Sequence, residues 1–301
     1  MKRLFQEVSR EFLDNIDVKK SSMETYKSVL SAFSVWVVRV GRNIKMLRRA
    51  DILAYKSYLI SENKSEKTIG LYMAVLRCFY EYLEQVGEHE NIAAGIRLKN
   101  QNKDYTKAHL SLDEVSTLLQ SIDRESMIGK RDYAMVNLMV RTGMRCVEVS
   151  SLRICDIKEK GENYILHIQR KGRNTRNEKL SIPANVITPI HEYLTERNPA
   201  SEMEPVFLSL HNHRTKPLKS KIIGRMIGKR MKAAGVYSSE KTAHSLRHTA
   251  AVHALLKGAT VKEVQTMLGH SSLNTTEIYF KSVNEELKTN NGATLILSKI
   301  F

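Results

Sequence analysis

Three separated stretches of this 301-residue chain hold side chains that could do chemistry on an anion. The first, RTGMRCVEVSSLRICDI over 141–157, sets Arg145 where Gly143 should end one helix and a new helix should begin. A guanidinium beside a helix N-terminus suits an anionic oxygen, since both present positive N–H groups to it. Glu148, one turn beyond Arg145, is expected to orient that guanidinium. The second stretch is the basic run RKGRNTRN, with Arg170, Lys171, Arg173 and Arg176. The third, over 242–280, brings His244 and Arg247 onto one helix face, three residues apart. Thr260 and Glu263 should cap the following helix and Gly269 should end it at His270. Asn274 or Thr275 can then start a helix that carries Tyr279.

His244, His248 and His253 invite a metal reading, but the weight is against it. HxxxH lacks the glutamate of HExxH, and no carboxylate or cysteine lies close by in sequence. His248 and His253 read as structural. The cysteines Cys78, Cys146 and Cys155 have neither disulfide nor zinc spacing.

The elements that must position these groups are mostly helical. Residues 1–18 read as an amphipathic helix. From Ser21 to Val38 the residues Tyr26, Val29, Leu30, Phe33, Trp36 and Val37 recur at helical steps. A shorter helix is expected over 49–62, and another over 67–83 with Leu71, Val75, Cys78, Phe79 and Tyr82 on its stripe. The polar, aperiodic stretch 98–109 reads as a linker. Ser111 with Glu114 should cap a helix, and DYAMVNLMV over 132–140 should be buried on all sides. ENYILHIQ and EKLSIP flank the basic run as the two strands of a β-hairpin, and helices return from about residue 219. The expected fold class is mainly α with a small β-hairpin or sheet (α+β).

Lys and Arg number 48 against 32 Asp and Glu, a formal net charge of +16, and both the first 103 residues and the remainder carry an excess. Nucleic acid is the usual polyanionic partner for such a folded chain. No uncharged apolar run is long enough to span a membrane, and Glu7, Glu11 and Asp14 interrupt any signal-peptide core, so a cytoplasmic protein is expected.

The order Arg145, Lys171, HSLRH over 244–248, LGH over 268–270 and Tyr279 resembles the tyrosine recombinase (phage integrase) family, and the compact layout its Xer-type members. From His248 to His270 is 22 residues and from His270 to Tyr279 is nine, a combination of high specificity. The resemblance implies a SAM-like core-binding domain over 1–100, a linker over 101–109 and a catalytic domain over 110–301 whose tail contacts a neighbouring protomer. It implies site-specific cutting and rejoining of duplex DNA through a 3′-phosphotyrosyl link, with a tetramer on paired sites and neither metal nor nucleotide cofactor. In those terms Arg145 and Arg247 clamp the scissile phosphate, His244 accepts the tyrosine proton and His270 donates a hydrogen bond. Lys171 protonates the leaving oxygen and Tyr279 is the nucleophile. Lys171 to Pro183 spans twelve residues, longer than the family pattern, so Lys179 is a second candidate for the acid.

Charge and family layout also mark DNA contacts at Lys19, Lys20, Lys27, Lys67, Arg77 and Arg173. Lys221, Arg225 and Lys229 join them, with Arg230 in the same basic segment, beside the apolar Ile222, Ile223, Met226 and Met231. The chain opens almost at once on its helical bundle, which favours recombination at simple sites. A partner recombinase or accessory protein is compatible with all of this. The rivals are a type IB topoisomerase and a non-catalytic DNA-binding regulator.

Overall fold

The computed structural model describes residues 2–43, 46–96, 108–170, 175–210, 216–269, 279 and 283. The chain forms two compact units, Met1–Lys103 and Asp104–Phe301. The expected linker lies mostly outside the described residues.

In the first unit α1 (Lys2–Asn15), α2 (Lys20–Arg39), α3 (Arg49–Ser61) and α4 (Glu66–Gln85) pack around an aromatic-rich core. Phe33 and Tyr55 meet edge-on with ring centroids 4.9 Å apart, and Phe12 meets Phe79 at 5.4 Å. The stripe expected on α2 is buried from Val29 to Val37. On α4 the burial differs from expectation. Leu71 faces outward, while the expected Val75 and Phe79 are buried together with Ile69, Met73, Leu76, Tyr80 and Leu83. Because α4 touches α1, α2 and α3, its buried face is wider than one stripe and centred elsewhere.

The second unit is built on α6 (Met127–Thr142), buried on nearly every side. It packs against α8 (Ala184–Arg197) and α10 (Ala243–Leu256), with α5 (Leu112–Gln120) and α9 (Ser220–Ala233) also in contact. Ser111 and Glu114 form the expected capping box on α5. The hairpin is part of a three-stranded antiparallel sheet of β1 (Ile157–Lys160), β2 (Asn163–Ile168) and β3 (Glu178–Pro183) in the order β1-β2-β3. Leu166 opposes Leu180, and Leu166, Ile168 and Ile182 turn into the core.

β1 and α8 escaped the sequence reading. β1 reads IKEK, too short and charged to signal a strand, and forms by pairing with β2. α8 contains Pro189, which argues against a helix locally. Its Val186, Ile187, Ile190, Tyr193 and Leu194 nevertheless recur at helical spacing and are buried. Each such side chain contributes about 1.5–3 kcal/mol on burial, enough to override one lost hydrogen bond. No helix among the described residues is long and apolar enough to cross a membrane.

Candidate active site

The site is assembled where α6 ends. Gly143 adopts φ +65°, and its missing Cβ leaves room for Leu268 and Arg247, since a methyl there would stand 2.5 Å from Leu268 Cδ2. The Gly143 carbonyl accepts a 2.8 Å hydrogen bond from Arg247 Nη1. Arg247 Nη2 donates to the Leu268 carbonyl at 2.9 Å, at the end of α11 (Val261–Leu268). Gly269 follows with φ +64° and ends α11 as expected.

Arg145 caps α7 (Cys146–Ser151). Its backbone N–H and its Nη1 each donate to the Glu148 carboxylate at 2.9 Å. Glu148 is buried and also faces Arg170, whose Nη1 lies 3.4 Å from Oε2. Two guanidiniums thus share one carboxylate, with the Arg247 guanidinium held nearby by the Gly143 and Leu268 carbonyls, an arrangement short of negative charge and fitted to an incoming anion. Burial, and secondarily Arg145, lowers the Arg247 pKa to about 10, while Tyr279 and Glu148 push it back up.

His244 and Arg247 occupy adjacent turns of α10, whose first turn is capped by Thr242. His244 is exposed, whereas Arg247 is 1% exposed. The His248 ring neighbours both His244, with centroids 5.1 Å apart, and Tyr279, at 4.8 Å. Tyr279 is buried with Val283 against Ala251, Val252, Val264 and Leu268. Both residues are helical. His253 has a separate task, bonding the Leu110 carbonyl through Nε2 at 2.8 Å while Thr249 accepts from the Leu110 N–H. Among the described residues no group of three His, Cys, Asp or Glu side chains could hold a metal ion.

Of the six expected catalytic residues, the fold therefore gathers Arg145, His244, Arg247 and Tyr279. Lys171 and His270 lie outside the described residues, as does Arg173. Lys179 is exposed on β3, opposite His167, on the sheet face away from Leu166 and Ile168.

The expected DNA-contact residues divide. Lys221, Arg225 and Lys229 are exposed at four-residue steps on α9, with Ile223, Ile227 and Met231 buried behind them. Ile222, expected on the apolar stripe, is instead 41% exposed. Lys19, Lys27 and Lys67 are exposed on the first unit, and Lys20 opens α2. Arg77 is half-buried and donates to the Ile96 carbonyl at 3.3 Å. Two arginines of the basic run also turn inward: Arg170 to Glu148, and Arg176 to Asp156 and the Ser151 carbonyl. Arg170 was visible beforehand only as surface charge. Its parity with Leu166 and Ile168 is the signal that places it inside.

Residues 108–286 match the phage integrase family, and residues 4–88 match the phage integrase N-terminal SAM-like domain. The chain belongs to the phage integrase family, the tyrosine recombinases, whose members cleave and rejoin DNA strands. It resembles the Xer group: it is 31% identical over 249 residues to tyrosine recombinase XerD of Listeria monocytogenes serotype 4b (strain F2365), covering 80% of each chain. Tyrosine recombinase XerC of Staphylococcus haemolyticus (strain JCSC1435) is 26% identical over 289 residues, 94% of this chain and 95% of that one. The fold is shared with XerH site-specific recombinase bound to palindromic difH substrate, at TM-score 0.74 and 23% identity, covering 89% of this chain and 78% of that one. A lambda integrase dimer bound to a COC′ core site has TM-score 0.68 at 19% identity, covering 90% of this chain and 76% of that one.

Proposed function

We propose that this protein is a site-specific DNA recombinase whose nucleophile is Tyr279. The phenol oxygen attacks the scissile phosphorus, the bond to the 5′ oxygen breaks, and the products are a 3′-phosphotyrosyl link and a 5′ hydroxyl. His244 takes the phenol proton and Lys171 supplies one to the departing 5′ oxygen, so no proton is left over. Arg145 and Arg247 offset charge on the non-bridging oxygens as it grows in the transition state, with His270 donating to the same phosphate. Rejoining needs no nucleotide because the covalent link retains the phosphodiester's energy. The observation that carries this reading is the convergence of Arg145 and Arg247 on the pocket where Tyr279 is buried. Lys171 is preferred over Lys179 because it directly follows Arg170, whose side chain contacts the Glu148 carboxylate that also holds Arg145.

The first unit and the exposed face of α9 bind the DNA backbone in this reading, and exchange proceeds through a Holliday junction within a tetramer on two sites. Supporting the assembly is a cavity of about 940 Å³ in the second unit, lined by Leu112, Val115, Val186, Ala254 and Val264 among others. The apolar tail ATLILSKIF over 293–301, outside the described residues, would fill that cavity on a second copy. As an enzyme acting on DNA the protein would work in the cytoplasm. A chain cut after Glu286 should bind single sites and fail to pair them; normal recombination by that chain contradicts the tail assignment.

The test of the chemistry is covalent trapping in EDTA. Wild type and Tyr279→Phe are incubated with nicked duplex fragments of the source genome, and DNA left attached after denaturation is sequenced. Adducts formed by wild type alone support the reading and name the target. Salt-sensitive binding by both proteins without any adduct favours a regulator.

A further inference from the structure

Arg170 has no part in the chemistry set out above, yet it contacts Glu148, Met267 and Gly269 beside the site. Period-two alternation continues from Leu166 and Ile168, so its side chain enters the interior, where it is 5% exposed. There Nη2 donates to the Met267 carbonyl at 2.9 Å and Nη1 faces Glu148 at 3.4 Å. Nε finds no hydrogen-bond partner and lies against Gly269, where any Cβ would collide with the guanidinium. Gly269 is thus required twice, for its positive φ and for this close approach.

A buried guanidinium is costly, and a leucine would pack the space without that cost. What a leucine lacks is the ability to tie segments together. Arg170 and Arg247 take two consecutive carbonyls at the end of α11, Met267 and Leu268, where the helix dipole is negative. Through Glu148, Arg170 also fixes the carboxylate that orients Arg145. Each segment it joins leads directly to a proposed catalytic group: Lys171 follows Arg170, Arg145 begins α7, and His270 follows Gly269.

We propose that Arg170 is a positioning residue for phosphate binding, holding Glu148, and hence Arg145, together with the α11 end that leads to His270. The proposal rests on the recombinase reading. Its test uses Arg170→Lys, which keeps the charge but not the fork, and Arg170→Gln, each compared with wild type on a nicked duplex of the site recovered by trapping. The scissile phosphate is either ordinary or a methylphosphonate, whose lost charge removes the need for precise guanidiniums. On the phosphodiester both variants should cleave about 10²-fold more slowly, the scale of an ångström's misplacement. On the methylphosphonate the deficit should shrink to a few-fold. Equal deficits on both substrates, no deficit, or loss of folding in both variants would overturn the proposal by making Arg170 a stability residue or a bystander. A second readout needs no target: sulfate should raise the melting temperature of wild type, and Arg170→Lys should need about tenfold more sulfate for the same rise. Adducts from neither protein would sink the recombinase reading, while unchanged sulfate protection in Arg170→Lys would sink the positioning role by itself.

Discussion

The edge of the His248 imidazole stands against the Tyr279 ring, with centroids 4.8 Å apart and planes at 68°. Tyr279 is thereby held inside its own protomer's pocket rather than projecting into solvent, and the same His248 ring also neighbours the exposed His244 ring. Shape alone provides much of that hold, so His248→Phe should keep most cleavage activity while His248→Ala, which leaves the phenol unsupported, should lose about 10-fold or more. Single-turnover cleavage measures both. Equal loss in the two variants would instead show that the imidazole nitrogens take part.

Gly143 has two reasons to be glycine, its positive φ and the nearness of Leu268. Gly143→Ala should cost at least about 2 kcal/mol, from strain in the left-handed conformation plus overpacking. Calorimetry should show the second unit melting lower by about 4–8 °C. Cleavage should fall as well, because the displaced carbonyl is an anchor for Arg247. An unchanged melting temperature would contradict the packing described.

Arg247 supplies the pH prediction. Its pKa near 10 in the folded protein lies below its ordinary value, chiefly through burial. Between those two values the unfolded chain holds more protons than the folded one. The buried charge therefore opposes folding at neutral pH, and that opposition fades as pH rises through about 10. Anion binding runs the other way, because it needs the proton. Sulfate affinity, taken as the difference between wild type and Arg247→Gln, should be flat from about pH 7 to 9 and then fall by up to about tenfold per unit above 10. A fall centred near pH 7 would implicate a histidine instead.

On α9 the three outward cations are separable from their neighbour Arg230, which is committed to Asp132 by contacts of 3.0 and 2.7 Å. Replacing Lys221, Arg225 and Lys229 together by Ala should lower the slope of log affinity against log salt by about 3 without changing the fold. Arg230→Ala should leave the slope alone and destabilise the second unit, because Asp132 is buried. Filter binding over a salt series and thermal melting separate the two outcomes.

The contrast between Arg230 and its outward neighbours also marks where sequence stops being legible. The four proposed catalytic residues that the fold gathers could be singled out because the types and spacings of such groups are set by chemistry, and the caps at Ser111 and Thr260 because they are local. Which basic residues serve the fold was not readable. Arg176 and Arg230 look like Lys221 in sequence and differ only in the carboxylates that tertiary packing brings to them, while Arg170 is set apart only by its parity with Leu166 and Ile168. α8 was hidden by Pro189, and β1 has no apolar pattern of its own, its strand character coming from the β2 edge it joins.

The central claim is that Tyr279 becomes bonded to DNA. Wild-type adducts trapped in EDTA can be digested with protease and nuclease, and the nucleotide-bearing peptide sequenced by mass spectrometry. The mass of a 3′-phosphate-linked nucleotide should fall on Tyr279, in the peptide that continues from Gly269 and His270, with a free 5′ hydroxyl on the released fragment of the cleaved strand. A modification on any other residue, or adducts undiminished in Tyr279→Phe, would contradict the account.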